Sequence, residues 1–199
     1  MAFSISDGEF LVKTARKIIE THLAGSERLK IDAGEKFKKK LGVFVTLDSY
    51  PKKELRGCIG YPYPTEPLIN ALTNAAVSAA VHDPRFPPIT EKEFKNIVVE
   101  VTVLTEPKLI EVKDKKELPK KVVMGKHGLI VEHGPFSGLL LPQVATEYGW
   151  SAEEFLNEAC WKAGLSPDMW LDKATSVYSF EGQIFAEESP AGKVIEKKI

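Results

Sequence analysis

The chain has 199 residues, 43 % hydrophobic and 28 % charged, which fits one domain or two small lobes around a packed core and excludes disorder as the main state. Its 27 basic and 28 acidic residues leave a net charge of −1, so no overall electrostatic footprint for nucleic acid or an acidic membrane exists. Two cysteines cannot build a disulfide framework or a four-cysteine zinc site, and neither an apolar run of about 18 residues nor a signal-peptide start is present; a soluble, cytoplasmic protein in a reducing compartment is expected.

Ser6 and Glu9 have capping-box spacing. Leu11, Ala15, Ile18, Ile19 and His22 follow at helical intervals, predicting a helix from about Asp7 to Ala24. Lys36 to Lys40 is a basic run around Phe37, a solvated face or an anion-facing patch. Val43, Val45 and Leu47 alternate with Phe44, Thr46 and Asp48, the periodicity of a strand. A turn over Ser49 to Lys53 and a second arm over Glu54 to Tyr61 complete a hairpin. Tyr61-Pro62-Tyr63-Pro64 is forced extended. Thr65 is the expected cap of an alanine-rich helix from Glu66 to His82, ended by Asp83 and Pro84.

Thr90 and Glu93 form a second capping-box pair before a short helix ending near Lys95. Ile97 to Leu104 is a strand that carries two polar residues, Glu100 and Thr102. Leu109 to Val112 is a short strand. The lysine-rich stretch from Lys108 to Lys126 is a surface connection with a short helix near Leu118. Gly128 to Glu132 and Gly138 to Leu141 pair through a turn at His133, Gly134 and Pro135. Ser151 and Glu154 cap a helix whose apolar stripe includes Cys160, and Gly164 stops it. Trp150, Trp161 and Trp170 are expected core anchors. A last strand covers Ala174 to Ala186, and residues 187–199 are expected to be a mobile charged tail. Frequent hairpins without strict strand–helix alternation predict an α+β fold of mostly antiparallel sheets flanked by helices.

Lysine far outnumbers arginine, and glutamate outnumbers aspartate, a compositional habit of heat-adapted proteins. Arg16, Arg28, Arg56 and Arg85 are the only arginines. Two of them stand in the segments where chemistry is most expected. In Leu55-Arg56-Gly57-Cys58-Ile59-Gly60, strand alternation puts Arg56, Cys58 and Gly60 on one face. A guanidinium beside a thiol favours reactive thiolate. Gly57 and Gly60 would admit a ligand or another backbone. The alternative is a buried cysteine in a glycine-thinned strand at a tight corner. In His82-Asp83-Pro84-Arg85-Phe86-Pro87-Pro88, His82 at a helix C-terminus is favoured as a cation. Arg85 either pairs with Asp83 or clamps an anion.

His127, between Lys126 and Gly128, is a general base or a hydrogen-bonded turn residue. Gln143 follows Leu141-Pro142 ahead of a polar helix. Nucleotide phosphate loops, HExxH, GxSxG and EF-hand patterns are missing, and no spacing suggests a metal site or names a cofactor.

The Arg56-Gly57-Cys58-Ile59-Gly60 segment resembles the signature of the AMMECR family. Asp83-Pro84-Arg85-Phe86-Pro87-Pro88, Val101-Thr102-Val103-Leu104-Thr105, Leu141-Pro142-Gln143-Val144-Ala145 and the Trp150 to Leu165 stretch fit it as well. The resemblance covers nearly the whole chain. It implies one AMMECR-type domain over residues 1–199, with a larger and a smaller lobe and the signature near a cleft between them. It implies no reaction, but it suggests Memo-type and radical-SAM proteins as partners.

Three functions follow as expectations. One is an enzyme in which Cys58 is the nucleophile or redox thiol and His82 or His127 the base. Arg56, Gly57, Gly60, Asp83, Arg85, Glu100 and Gln143 would then bind an anionic substrate. A second is an adaptor presenting the proline-rich loops to a partner protein. The third, nucleic-acid binding through Lys36 to Lys40 and Lys108 to Lys126, is opposed by the net charge and the scarcity of arginine.

Overall fold

The computed structural model describes residues 3–27, 29–63 and 65–197; Arg28 and Pro64, both noted above, lie outside them. In chain order the elements are α1 (Ile5–Leu23), β1 (Val43–Ser49), β2 (Leu55–Tyr61), α2 (Leu68–Val81), α3 (Glu91–Phe94), β3 (Ile97–Leu104), β4 (Lys108–Leu109) and α4 (Leu118–Lys121). Then come β5 (His127–His133), β6 (Phe136–Leu140), α5 (Pro142–Glu147), α6 (Ala152–Lys162), β7 (Ser176–Glu187) and β8 (Val194–Lys197). The fold is α+β, and the pairings of β1 with β2 and β3, of β5 with β6 and β7, and of β7 with β4 and β8 are antiparallel.

The chain divides into two compact units. The first contains the described residues up to Leu104 together with Gln183–Lys197; the second is Thr105–Gly182.

In the first unit, β2, β1 and β3 lie side by side. Val43, Val45 and Leu47 of β1, and Val99, Val101 and Val103 of β3, are buried in one core with the apolar faces of α1 and α2. Each such side chain contributes roughly 1.5–3 kcal/mol on burial. Alanine on α2 lets the helix lie directly on the strands: Ala71, Ala75, Ala76 and Ala79 are all buried there. The other face of these strands carries Thr46, Asp48, Cys58 and Glu100.

In the second unit, β5 pairs with β6 and with the first part of β7. Leu129, Val131, Phe155, Leu156, Cys160, Trp170 and Val177 form its core. Gly138 of β6 touches the backbone at Ala163, just beyond α6.

Several local expectations are corrected. The first capping box is Ser4 with Asp7, two residues earlier than Ser6 with Glu9. Both pairs have the required spacing, and Asp7 is further held by Lys36. Pro67, not Thr65, precedes α2, without a side-chain cap. The segment from Glu187, expected as a mobile tail, contains β8, paired with β7 and anchored by buried Val194. Glu187 itself is buried against Arg16. Trp161, expected in the core, is 70 % exposed, whereas Trp170 is buried and donates to Asn157. Trp150 is half-buried and stacks on the exposed Tyr148.

Candidate functional site

The site is built on β2, whose outer edge is covered by the proline-rich segment that follows α2. In an antiparallel strand, alternate residues turn their main-chain groups away from the paired neighbour. Cys58 is such a residue. Its N–H donates to Asp83 Oδ2 at 2.9 Å, and its carbonyl accepts from an Arg85 Nη at 3.1 Å. The two side chains thus satisfy both main-chain groups of Cys58, as a neighbouring strand would.

Asp83 and Arg85 are locked to each other as well. Arg85 Nε donates to Asp83 Oδ1 at 3.0 Å and its Nη to Oδ2 at 2.7 Å, while the Arg85 main-chain N–H also reaches Oδ1. The Asp83 side chain is 2 % exposed and that of Arg85 53 %. The Arg85 guanidinium beside Asp83, with the N–H groups of Cys58 and Arg85, holds the Asp83 carboxyl well below the usual carboxylate range. Asp83 raises the pKa of Arg85 in turn.

Arg56 is committed in a similar way. It forms a fork with Glu93 through Nε and an Nη, and donates to the Pro87 carbonyl at 2.8 Å. Thr90 still caps α3 through the Glu93 N–H, but the Glu93 carboxylate is turned to Arg56 and does not complete the capping box. Both guanidinium groups lie against the Phe86 ring, 5.7 Å (Arg56) and 5.5 Å (Arg85) from its centroid.

The thiol of Cys58 accepts from Thr46 Oγ1 at 3.3 Å. Thr46 stands opposite both Cys58 on β2 and Glu100 on β3. Cys58, Thr46 and Glu100 therefore form one row across three strands. Lys197 of β8 pairs with Glu100 at the end of the row. Asp48, two residues along β1 from Thr46, shares this face. Burial pushes its carboxyl up, and the charge of Glu100 adds to that.

Of the two readings of Cys58, an activated thiolate and a buried cysteine in a glycine-thinned strand, the surroundings favour the second. Burial pushes the Cys58 thiol up, and the opposing effects of Thr46 and Arg85 do not overcome it. Arg56, cast as the activating cation, is neutralised by Glu93. Of the two readings of the glycines, close approach of another backbone is the one seen at Gly57, and at Gly60 the space is taken by the Phe44 ring. A Cβ on Gly57 would fall 2.2 Å from the Ala79 carbonyl oxygen of α2, and one on Gly60 would fall 2.2 Å from the Phe44 ring.

Arg56, Gly57, Cys58, Gly60, Asp83, Arg85 and Glu100 are all in the first unit, and hydrogen bonds or strand register link Cys58 to Asp83, Arg85 and Glu100. His82 is the exposed C-cap of α2, and among the described residues no hydrogen bond joins it to Cys58. His127 and Gln143 belong to the second unit. His127 Nδ1 accepts from the Val123 N–H at 3.2 Å. Burial lowers its pKa, with Lys126 adding and Glu181 opposing. Its Nδ1 lone pair is therefore already spent, and the neutral ring keeps its proton on Nε2, which does not favour a general-base role. Gln143 Oε1 is buried without a hydrogen-bond partner among the described residues.

Sequence reasoning missed Thr46, Asp48 and Glu93. The first two were legible as the polar alternate positions of β1. Glu93 was read as a helix cap because its spacing fits that role locally.

The basic run is mostly a solvated face: Lys38, Lys39 and Lys40 are exposed and Lys36 is half-buried. Lys36 pairs with Asp7 and lies over Phe3, Lys38 pairs with Glu35, and Phe37 is buried. Among the described residues no group of histidine, cysteine or carboxylate side chains is arranged to hold a metal ion, and no helix is long and apolar enough to cross a membrane.

The AMMECR1 family profile matches residues 12–185. The chain belongs to the AMMECR1 family. It is 54 % identical over 196 residues to Protein MJ0810 of Methanocaldococcus jannaschii, with 98 % of each chain covered. It is 52 % identical to Protein PH0010 of Pyrococcus horikoshii over the full length of both. The crystal structure of the uncharacterized protein PH0010 superposes with a TM-score of 0.85, covering 96 % of this chain and 97 % of that one. The AMMECR1 region thus spans both compact units.

Proposed function

We propose that this AMMECR1 protein is an enzyme that binds a small anionic substrate on the Cys58 face of its first unit. The observation that carries the proposal is Arg85. A buried carboxylate orients it and the Cys58 carbonyl anchors it, yet half of its guanidinium side chain is exposed. Such a group is preorganised to meet a carboxylate or phosphate without a further ordering cost. Cys58 then acts from the protonated thiol, ionised only once substrate is bound. Asp48 and Glu100, on the same face, are the carboxyls available for proton transfer.

The test is a thermal-shift screen with small carboxylates and phosphate esters. A stabilising ligand that is lost in Arg85→Ala, weakened in Arg85→Lys and retained in Cys58→Ser supports the binding site. Turnover of that ligand, abolished in Cys58→Ser, supports the catalytic role. A screen with no Arg85-dependent ligand removes the proposal.

A second reading is a protein-binding adaptor. The saturation of Arg56, the closed Asp83–Arg85 lock and the filled glycine positions favour it, because a rigid corner is what a docking surface requires. Memo-type and radical-SAM proteins are the partners to try first. Binding of one of them that weakens in Arg85→Ala, with no small-molecule ligand found, supports this reading over the enzyme. Nucleic-acid binding is disfavoured by the internal pairing of Lys36 and Lys38.

A further inference from the structure

Helix α2 differs from the other long helices of the chain in one respect. None of its 14 residues is charged. α1 exposes Glu9, Lys13, Lys17 and Glu20, and α6 carries Glu153, Glu154, Glu158 and Lys162. In a chain that is 28 % charged, the side of α2 away from the sheet is half-buried apart from the exposed Asn70 and carries no lysine or glutamate. Depletion of charge is a mark of surfaces that bind.

That side of α2 borders a cavity of about 420 Å³, lined by Leu29, Ile31, Glu66, Ile69, Asn70, Thr73 and Asn74. The volume lies within the usual range for small-molecule sites. α2 packs its alanine face on the Gly57 side of the sheet, so the cavity is separate from the Cys58 face. Asn74 Nδ2 donates to Glu66 Oε1 at 3.3 Å, and the Thr73 hydroxyl donates to the Ile69 carbonyl. What is left is mixed: lone pairs on both Glu66 oxygens, on Asn74 Oδ1 and on Thr73, with the Asn70 amide offering both donor and acceptor. Among the described lining residues there is no cation to compensate a phosphate. The single carboxylate is already partly satisfied by Asn74.

We propose that this cavity is a second ligand site, for a neutral polyhydroxyl compound that presents a vicinal diol of the ribose type. The two hydroxyls donate to the Glu66 carboxylate, Asn70 and Asn74 bond the ring substituents, and Leu29, Ile31 and Ile69 pack on its carbon skeleton.

Titration with methyl β-D-ribofuranoside, read through the side-chain amide resonances of Asn70 and Asn74, tests the site. The expected result is a saturable shift of both amides. Affinity falls at least fivefold for the 2-deoxy analogue and at least fivefold in Glu66→Gln, and is unchanged in Lys13→Ala on α1. Asn70→Ala, at an exposed position, gives a second variant expected to weaken binding if Glu66→Gln perturbs the fold. No saturable shift, equal binding of the 2-deoxy analogue, or binding insensitive to both Glu66→Gln and Asn70→Ala overturns the proposal.

Discussion

The Asp83 carboxylate accepts the main-chain N–H of Cys58 at 2.9 Å, across 25 residues of sequence. This bond ties two otherwise separate segments, the Arg56 to Gly60 strand and the proline-rich turn after α2, into one structure. Arg85 closes the arrangement from the other side of the same residue.

Replacing Asp83 tests how much that tie holds. Asp83→Asn keeps an acceptor for Cys58 but loses the ionic partner of Arg85, and is expected to cost about 1–2 kcal/mol; Asp83→Ala loses both and is expected to cost about 2–3 kcal/mol. The Asp83 pKa is depressed in the folded state, so its contribution is present above the unfolded carboxyl value and is lost as pH falls toward the folded one. The gap between wild type and Asp83→Asn in urea unfolding is therefore expected to hold from pH 7 to about 5 and to shrink below about 4. A gap that persists unchanged at low pH contradicts the role given to the carboxylate.

Cys58 is expected to be a slow thiol. Burial raises its pKa, so iodoacetamide alkylation at neutral pH is expected to lag an ordinary thiol, which titrates near about 8.5. Thr46→Val removes a hydrogen bond to the sulfur and is expected to move the profile further upward. Cys160 is pushed up to about 11 by burial, so it contributes little background. An apparent Cys58 pKa of about 7 or lower would show that another group activates it in solution.

The packing role of the signature glycines predicts an asymmetry. Gly57→Ala drives a methyl into the Ala79 carbonyl and cannot be relieved by a rotamer change, so a loss of about 3 kcal/mol is expected. Gly34, with nothing near its Cβ position, is expected to accept alanine within about 0.5 kcal/mol. Thermal unfolding of the two variants measures the contrast, and equal effects would argue that Gly57 does not seat α2.

Arg16 and Glu187 form a buried pair, with side chains 8 % and 2 % exposed. Arg16 also donates to the Ile97 carbonyl, and Glu187 accepts the Val99 N–H at 3.0 Å. Either Arg16→Met or Glu187→Leu leaves one buried charge unpaired, for an expected cost of about 3–5 kcal/mol. The double variant is expected to be less damaged than the sum by about 2 kcal/mol or more, in a double-mutant cycle by urea unfolding. Additive effects would remove the pair as the anchor of the β7 end.

The local elements were legible because their signals are local. The alternation of Val43 to Leu47, the periodicity of Leu11 to Ile19 and the alanine spacing of α2 follow from side chains meeting one sheet face or one helix stripe. The α+β class followed from their order. The family was legible from the Arg56 to Gly60 segment together with Asp83 to Pro88. Three decisions needed the tertiary structure. Whether Glu93 caps its helix or pairs with Arg56 depends on a partner 37 residues away. Whether residues beyond Glu187 stay free depends on Arg16 and on the open edge of β7. Whether Cys58 is a thiolate or a thiol depends on burial and the charges of Glu100 and Asp83, which favour the thiol, against Thr46 and Arg85, which favour the thiolate. Sequence by itself specifies which groups are present and how each short segment folds. Charge pairing and desolvation are set by distances between segments, and those exist only once the chain has folded.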